Sequence, residues 1–367
     1  MNFYYKILLL TLFLLLFSCS IIEEYTGTSE NIDRVEEIDI SEDVDISENL
    51  DDELQDNEEH MRMEKEDQMR MEKEDQMRME KEDQMRMEKE DQMRMEKEDQ
   101  MRMEKEDQMR IEKEANSLVK SINIYNDSSY KYFNKYADVE TLRIFALPEV
   151  SDEYLKKVGA IYKLIFDEDN PDIDRNLKNK FFQTMKNNYV YQRVGFKGPE
   201  LYDMDGENPK IDCCPGNNYE DNQTDYIWEP EGSEDPTGEI IEHSLHTITN
   251  VAFNLMSSDW DSRDSGSKLR LAYKEAVDKK LFNEESYAPL KGSNDFYQVT
   301  TQEYFFWVII TEWDLGFLWD LPNEEFLIKD KTDLSDKLPL SHQLYKEFVE
   351  KILNPPNKNL INAIINN

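Results

Sequence analysis

"MRMEKEDQMRMEKEDQ", residues 61–76, is two copies of an eight-residue unit that recurs six times in full through Gln108. A seventh copy opens at Met109 and breaks at Ile111. Each unit is Met-Arg-Met-Glu-Lys-Glu-Asp-Gln, three acids against two bases, with no Gly, Pro or β-branched residue. Every position therefore favours helix. Glu66 lies four residues before Arg70, Asp67 three before it, and Glu74 four after it. Such pairs contribute a few tenths of a kcal/mol each. A coiled coil needs an apolar seam about every 3.5 residues. An eight-residue period drifts by about 80° per copy on a regular helix, and the two Met of each copy, at i and i+2, point to nearly opposite sides. The spacing predicts a solvated single helix over 61–114, a stalk of roughly 80 Å at 1.5 Å per residue, over the rival readings of a Met-based coiled coil or a disordered tract.

Upstream, the chain opens "MNFYYKILLLTLFLLLFSCS". Lys6 precedes an eleven-residue apolar run, Ile7 to Phe17, followed by Ser18, Cys19 and Ser20. The run is too short to cross a bilayer and reads as a signal peptide over 1–18. Leu16-Phe17-Ser18-Cys19 resembles a relaxed bacterial lipobox. On that resemblance Cys19 is the mature first residue and carries the lipid, so that the protein is anchored to a membrane without spanning it. Residues 19–60 read as an acidic, disordered tether: Asn31 to His60 holds fourteen acids and one base, Arg34, with few core-forming residues. Of the net charge of −38, −15 precedes residue 61, −6 lies in the six repeats and −17 follows them. Nucleic acid is excluded as a partner by that acidity. Solubility at a surface, or a basic partner, suits it.

Downstream, residues 115–367 hold all five Trp and most of the other aromatics, enough for one sizeable core. Helical segments include "SDEYLKKVGAIYKLIF" with Ser151 or Asp152 as N-cap, "DIDRNLKNKFFQTMKNNY", "SKLRLAYKEAVDKKLF" with Ser267 as N-cap, "TTQEYFFWVIITEWDL" and "SHQLYKEFVEKIL". "LRIFAL" and "YVYQRVGF" read as strands. The expected class is mainly α with minor β: a long single-helix stalk, then one helical globular domain. Residues 197–238, rich in Gly, Pro, Asn and Asp, read as a long loop. It carries adjacent Cys213 and Cys214, too few for a zinc site by themselves, and "DMDGEN", whose Gly sits at the wrong offset for a calcium loop.

Two of the four His, His243 and His246, fall in "GEIIEHSLHTITNVAFNLM", residues 238–256. Read as a helix, Ile241, Leu245, Ile248, Ala252 and Leu255 form an apolar stripe. Glu239, Glu242, His243 and His246 cluster opposite it, facing away from the central packing, and the two imidazoles are close enough to share a metal. The segment loosely resembles the HExxH helix of zincin metalloproteases, with the first two positions swapped: Glu242 stands where the first ligand belongs and His243 where the catalytic Glu belongs. The resemblance implies a third ligand from a later helix, and Glu303 in "QEYFFWVIITEW" is the candidate. The candidate ligands are thus His243, His246 and Glu303, the metal zinc. Glu242 is the candidate general base, and Tyr297, six residues before Glu303, the candidate oxyanion partner. The swap suggests zincin ancestry more than activity: either His243 and His246 form a polar, hydrogen-bonded or solvated helix face, or metal binding is weak or vestigial without robust peptidase activity, and nothing else in the chain calls for a cofactor.

The lipobox, acidic tether, Met/Glu/Lys/Arg repeat array and Lys/Asn/Ile-rich helical domain together resemble the Borrelia virulent-strain-associated repetitive lipoproteins, along the whole chain. The resemblance implies an antigenic lipoprotein of the outer membrane, exposed at the cell surface, and no established reaction. The leading expectation is that the tether and stalk raise the C-terminal domain off the membrane to meet a host protein. The alternatives are a zincin-like hydrolase or its inactive descendant, and an antigen whose repeat array is itself the exposed feature.

Overall fold

The computed structural model describes residues 50–130, 133–198, 226–232, 234–293 and 295–366. The signal segment, Cys19, the tether up to residue 49, and Cys213 and Cys214 lie outside the described residues. The chain divides into two units, Met1–Glu90 and Asp91–Asn367. No helix among the described residues is long and apolar enough to cross a membrane.

The repeats are helical throughout. Helix α1 runs Leu50–Ser121, 72 residues, so the last eleven residues assigned to an extended tether are helical instead. "LDDELQDNEEH", residues 50–60, has neither Gly nor Pro, and acids suit the first turns of a helix. All residues from Asn57 to Arg110 are exposed. Of the available acids, each internal Arg takes the Asp three residues before it, as in Arg70–Asp67 at 3.6 Å and Arg102–Asp99 at 2.9 Å. Gln68 donates to Glu72 at 3.3 Å, and the pattern repeats in each copy. At its C-terminal end the helix changes character. Ala115 is fully buried, and Ile111, Leu118 and Val119 pack against the domain core.

The second unit is built on a five-stranded sheet in sequential order: β1 Ile124–Asn126, β2 Lys135–Val139, β3 Leu142–Ala146, β4 Tyr191–Phe196 and β5 Tyr226–Glu229. The first three strands are antiparallel, and β3, β4 and β5 are parallel. Both strands expected from the sequence are present, as β3 and β4. The other three are short, and in β2 only Ala137 and Val139 of five residues are buried, too brief an alternation to stand out. Helices α2 Asp152–Ile165 and α3 Arg175–Asn187 carry the chain from β3 to β4. Ser151 caps α2, its side chain accepting from Tyr154 N, and Asp174 caps α3.

The two sheet faces differ. Ala137, Val139, Leu142, Ile144, Val194 and Ile227 are buried on one, against which α2 packs. The other carries a row of aromatic and arginine side chains. Tyr125 stacks on Tyr136 at 5.3 Å, the Arg143 guanidinium lies 4.0 Å from the Tyr136 centroid, and that of Arg193 lies 4.2 Å from Tyr226. Trp228 closes the row over Gly195, where a Cβ would stand 2.3 Å from its ring.

The remaining helices complete the domain: α4 Thr237–His246, α5 Lys268–Asp278, α6 Phe296–Glu312, α7 Lys331–Lys337, α8 Pro339–Leu344 and α9 Lys358–Asn366. Ser267 caps α5 as its position predicts. Helix α6 is buried along most of its length, from Phe296 to Thr311, and α4 packs on it, on β5 and on α2.

A candidate metal centre between two helices

Glu242 and His246 are one turn apart on α4, and Glu303 lies on α6. Each brings one ligand atom to within 4.8 Å of the others. His246 Nε2 and Glu303 Oε2 are 3.5 Å apart, close to the roughly 3.4 Å that separates two donors of a tetrahedral zinc ion with bonds of about 2.1 Å. One imidazole and two carboxylates are donors that zinc and similar divalent ions accept. The residues present therefore fit a small divalent cation.

The ring of His246 is held from behind. Its Nδ1 lies 2.9 Å from Gln302 Nε2, and Gln302 Oε1 accepts from Asn250 Nδ2 at 2.8 Å. Bonds to the far nitrogen are what orient an imidazole toward a metal. Phe306 packs edge-on against the ring at 5.8 Å. Thr247, the next residue, donates to Gln192 Oε1 at 2.5 Å, and Tyr162 donates to the same oxygen at 2.9 Å, tying α4 to β4 and α2.

Directly after His246 the helix widens into a π-helix, Thr247–Phe253, before a last α turn, Asn254–Met256. Such segments are frequent at functional sites. The widening also corrects the apolar stripe: Ile241, Leu245, Ile248 and Ala252 are buried, whereas Leu255 is 41% exposed. With i→i+5 bonding each turn holds more residues, so positions beyond it fall off a 3.6-residue stripe.

The expectation that the His-bearing face looks away from the central packing is also corrected, because His246 is fully buried, as are Ile240 and Ser244. With α6 on one side and β5 and α2 on others, only Glu242 and His243 of α4's second half stay partly exposed. His243 is not in the ligand group. Its Nε2 is 3.4 Å from Glu239 Oε2, its ring lies 5.4 Å from that of His246, and Glu239 also accepts from Trp228 N at 2.8 Å. Glu242, assigned from the swapped motif as a general base, is the residue that stands with His246 and Glu303 in this group. Tyr297 lies at the start of α6, 42% exposed, with the Arg270 guanidinium 3.2 Å from its ring centroid and Tyr273 at 6.4 Å. Six residues along a helix turn a side chain by about 240° relative to Glu303, so Tyr297 faces α5.

Tyr287, which the sequence did not single out, stands near Glu303. Burial, then the carboxylates of Glu303 and Glu325, push its phenol well above the ordinary range. It donates to Glu325 Oε1 at 2.6 Å and stays neutral. It sits in a short 3₁₀ segment, Glu285–Leu290, which has no periodicity to mark it. Gln302 was adjacent to a named candidate, but only the packing of α4 on α6 reveals its role. No protein-family model matches the chain, and neither a curated protein nor a solved structure does.

Proposed function

We propose that this chain is a lipid-anchored surface protein, held at the outer membrane through Cys19, in which α1 is a spacer and the C-terminal domain is the part that meets a partner, a host protein on the family resemblance. The observation that carries this reading is the uniform exposure of α1 from Asn57 to Arg110. A helix that buries none of its faces contributes no core. What it supplies is length, about 80 Å over those 54 residues at 1.5 Å each. The lipobox-like Leu16-Phe17-Ser18-Cys19 and the likeness to the Borrelia repetitive lipoproteins support the same reading. Replacing Cys19→Ser is expected to move the protein from the detergent phase to the aqueous phase on partitioning. A mutant that still partitions with detergent would overturn the anchor.

A second reading is favoured by one specific observation, the convergence of Glu242, His246 and Glu303: the domain binds a divalent metal, zinc first among candidates, as a descendant of a zincin-like fold. His246 would bind through Nε2, with Nδ1–H given to the Gln302 amide oxygen after that amide and Asn250 turn over together. A bound zinc would supply a Lewis acid and an activated water. His243, held by Glu239, stands where a peptidase has its general base, so binding without robust peptide hydrolysis is the expected outcome. Elemental analysis of the purified protein should find about one equivalent of metal, lost in Glu242→Gln and His246→Ala and kept in His243→Ala. Metal-free wild-type protein, or loss only in His243→Ala, would sink this reading.

A further inference from the structure

The polar and aromatic face of the sheet ends in a cavity that neither reading uses. It lies between the β2–β3 hairpin and the C-terminal end of α3 and has a volume of about 430 Å³, within the usual range for small-molecule sites. Its floor is Phe145, against which Tyr130 and Tyr191 stand edge-on at 5.0 and 5.8 Å. Across this floor Arg143 is fixed by a two-pronged pair with Asp138, at 2.7 and 2.9 Å, and by Tyr130, which accepts from Nη1 at 3.0 Å. Phe133 covers the neighbouring part of the same face, packing on Phe145 and Tyr226 at 6.4 and 6.1 Å.

Two wall residues hold backbone conformations that their side chains disfavour. Tyr189 has φ 53° and follows α3 in a Schellman arrangement, with Tyr189 N bonded to Lys186 O at 3.4 Å and Val190 N to Met185 O at 3.0 Å. Glycine is the usual occupant of that left-handed position, yet here an aromatic residue stands there, 51% exposed. Glu140, in the two-residue β2–β3 turn, also has φ 53°, where Asn, Asp or Gly is the norm. Both residues line the cavity. Strain of this kind clusters at ligand sites, and among the described residues neither ring packing nor a core contact explains an exposed Tyr189.

The lining selects the ligand chemistry. Asp138 and Glu140 balance Arg143 and Lys186, so the cavity is formally neutral in a chain of net charge −38. An anion such as a phosphate would meet two carboxylates and an arginine already engaged. A cation would meet two basic groups. A wholly apolar ligand would strip water from four charged groups without replacing their hydrogen bonds. A ring with an apolar face and a rim of hydroxyls satisfies both aromatic wall and mixed donors and acceptors. We propose that this cavity binds a neutral saccharide residue, its apolar face on the tyrosines and its hydroxyls on the Asp138–Arg143 pair, Glu140 and Lys186.

Saturation-transfer NMR on the full chain tests this, with lactose and N,N′-diacetylchitobiose as neutral probes and a heparin-derived disaccharide as the charged one. The expected result is transfer to at least one neutral probe and none to the charged one. Tyr189→Gly should weaken that binding at least tenfold with a thermal midpoint equal to or above wild type, because glycine tolerates φ 53°. Tyr189→Phe keeps the ring and should keep binding, as should Phe317→Ala outside the cavity. Absence of transfer to both neutral probes, preference for the charged probe, undiminished binding in Tyr189→Gly, or a lowered midpoint in that variant would each overturn the proposal.

Discussion

Glu312 closes α6 with its side chain only 6% exposed, 2.6 Å from His342 Nδ1. Burial pushes its carboxyl above the ordinary value of 4.5, and the contacts with His342 and Lys346 offset this only in part. A carboxyl whose folded-state pKa is raised binds more protons folded than unfolded. Its contribution to stability is full below about pH 4.5 and is lost as pH rises through the folded value. Glu312→Gln keeps the shape and an oxygen for His342 while removing that dependence. The variant is expected to be more stable than wild type at pH 7, on the order of 1 kcal/mol or about 2–4 °C in midpoint, with the difference vanishing toward pH 4. Thermal scans of both proteins from pH 4 to 8 measure it; a less stable variant at pH 7 would refute the argument. At this same scale, part of the candidate metal centre was legible. The i, i+4 spacing of Glu242 and His246 lies in the sequence, and Glu303 was reached through a motif. The choice of Glu242 over His243 was not legible, because it depends on the angle at which α4 meets α6.

Helix α1 has two parts that one composition-based reading treats alike. In the repeats, each Arg–Asp pair is exposed, both side chains above 60%, and contributes a few tenths of a kcal/mol at most. From Ile111 the repeat breaks, and Ala115, Leu118 and Ile122 stand where its register would put an Asp, an Arg and a Glu. Ala115 is fully buried, Ile122 is 4% exposed, and a Cβ on Gly159 of α2 would come within 2.9 Å of Ile122. Starting the chain at Lys105 is therefore expected to leave the domain's thermal transition unchanged. Starting it at Asn123 removes Ile111, Ala115, Leu118, Val119 and Ile122 from the packing and should cost about 3–5 kcal/mol, from the usual value of apolar burial. Equal stability of the two truncations in denaturant titration would show that the end of α1 is dispensable.

For the molecule as a whole, repeat number and domain stability should be independent. Deleting residues 61–84, three full copies, shortens α1 by about 36 Å and removes no buried side chain. Stability read from the thermal transition should stay within the roughly 0.5 kcal/mol expected of surface changes; a larger fall would mean that the repeats carry a structural contact. The sequence by itself determined the long exposed helix, the mainly helical class, the caps at Ser151 and Ser267 and the two central strands. These depend on short-range rules: propensity, side-chain spacing along one helix, and hydrogen bonds to a chain's own next turn. Tertiary structure alone decided that α1 continues into the core at Ala115, that His246 is interior, that Leu255 is outside, and that the aromatic sides of five strands line up as one face. Except for Leu255, which the π segment displaces, each of these requires two segments distant in sequence to meet at a particular angle and register. A hydrophobic pattern names the residues that must be buried, but the partner that buries them, and the polar groups that come together beside them, are set by the packing of the whole chain.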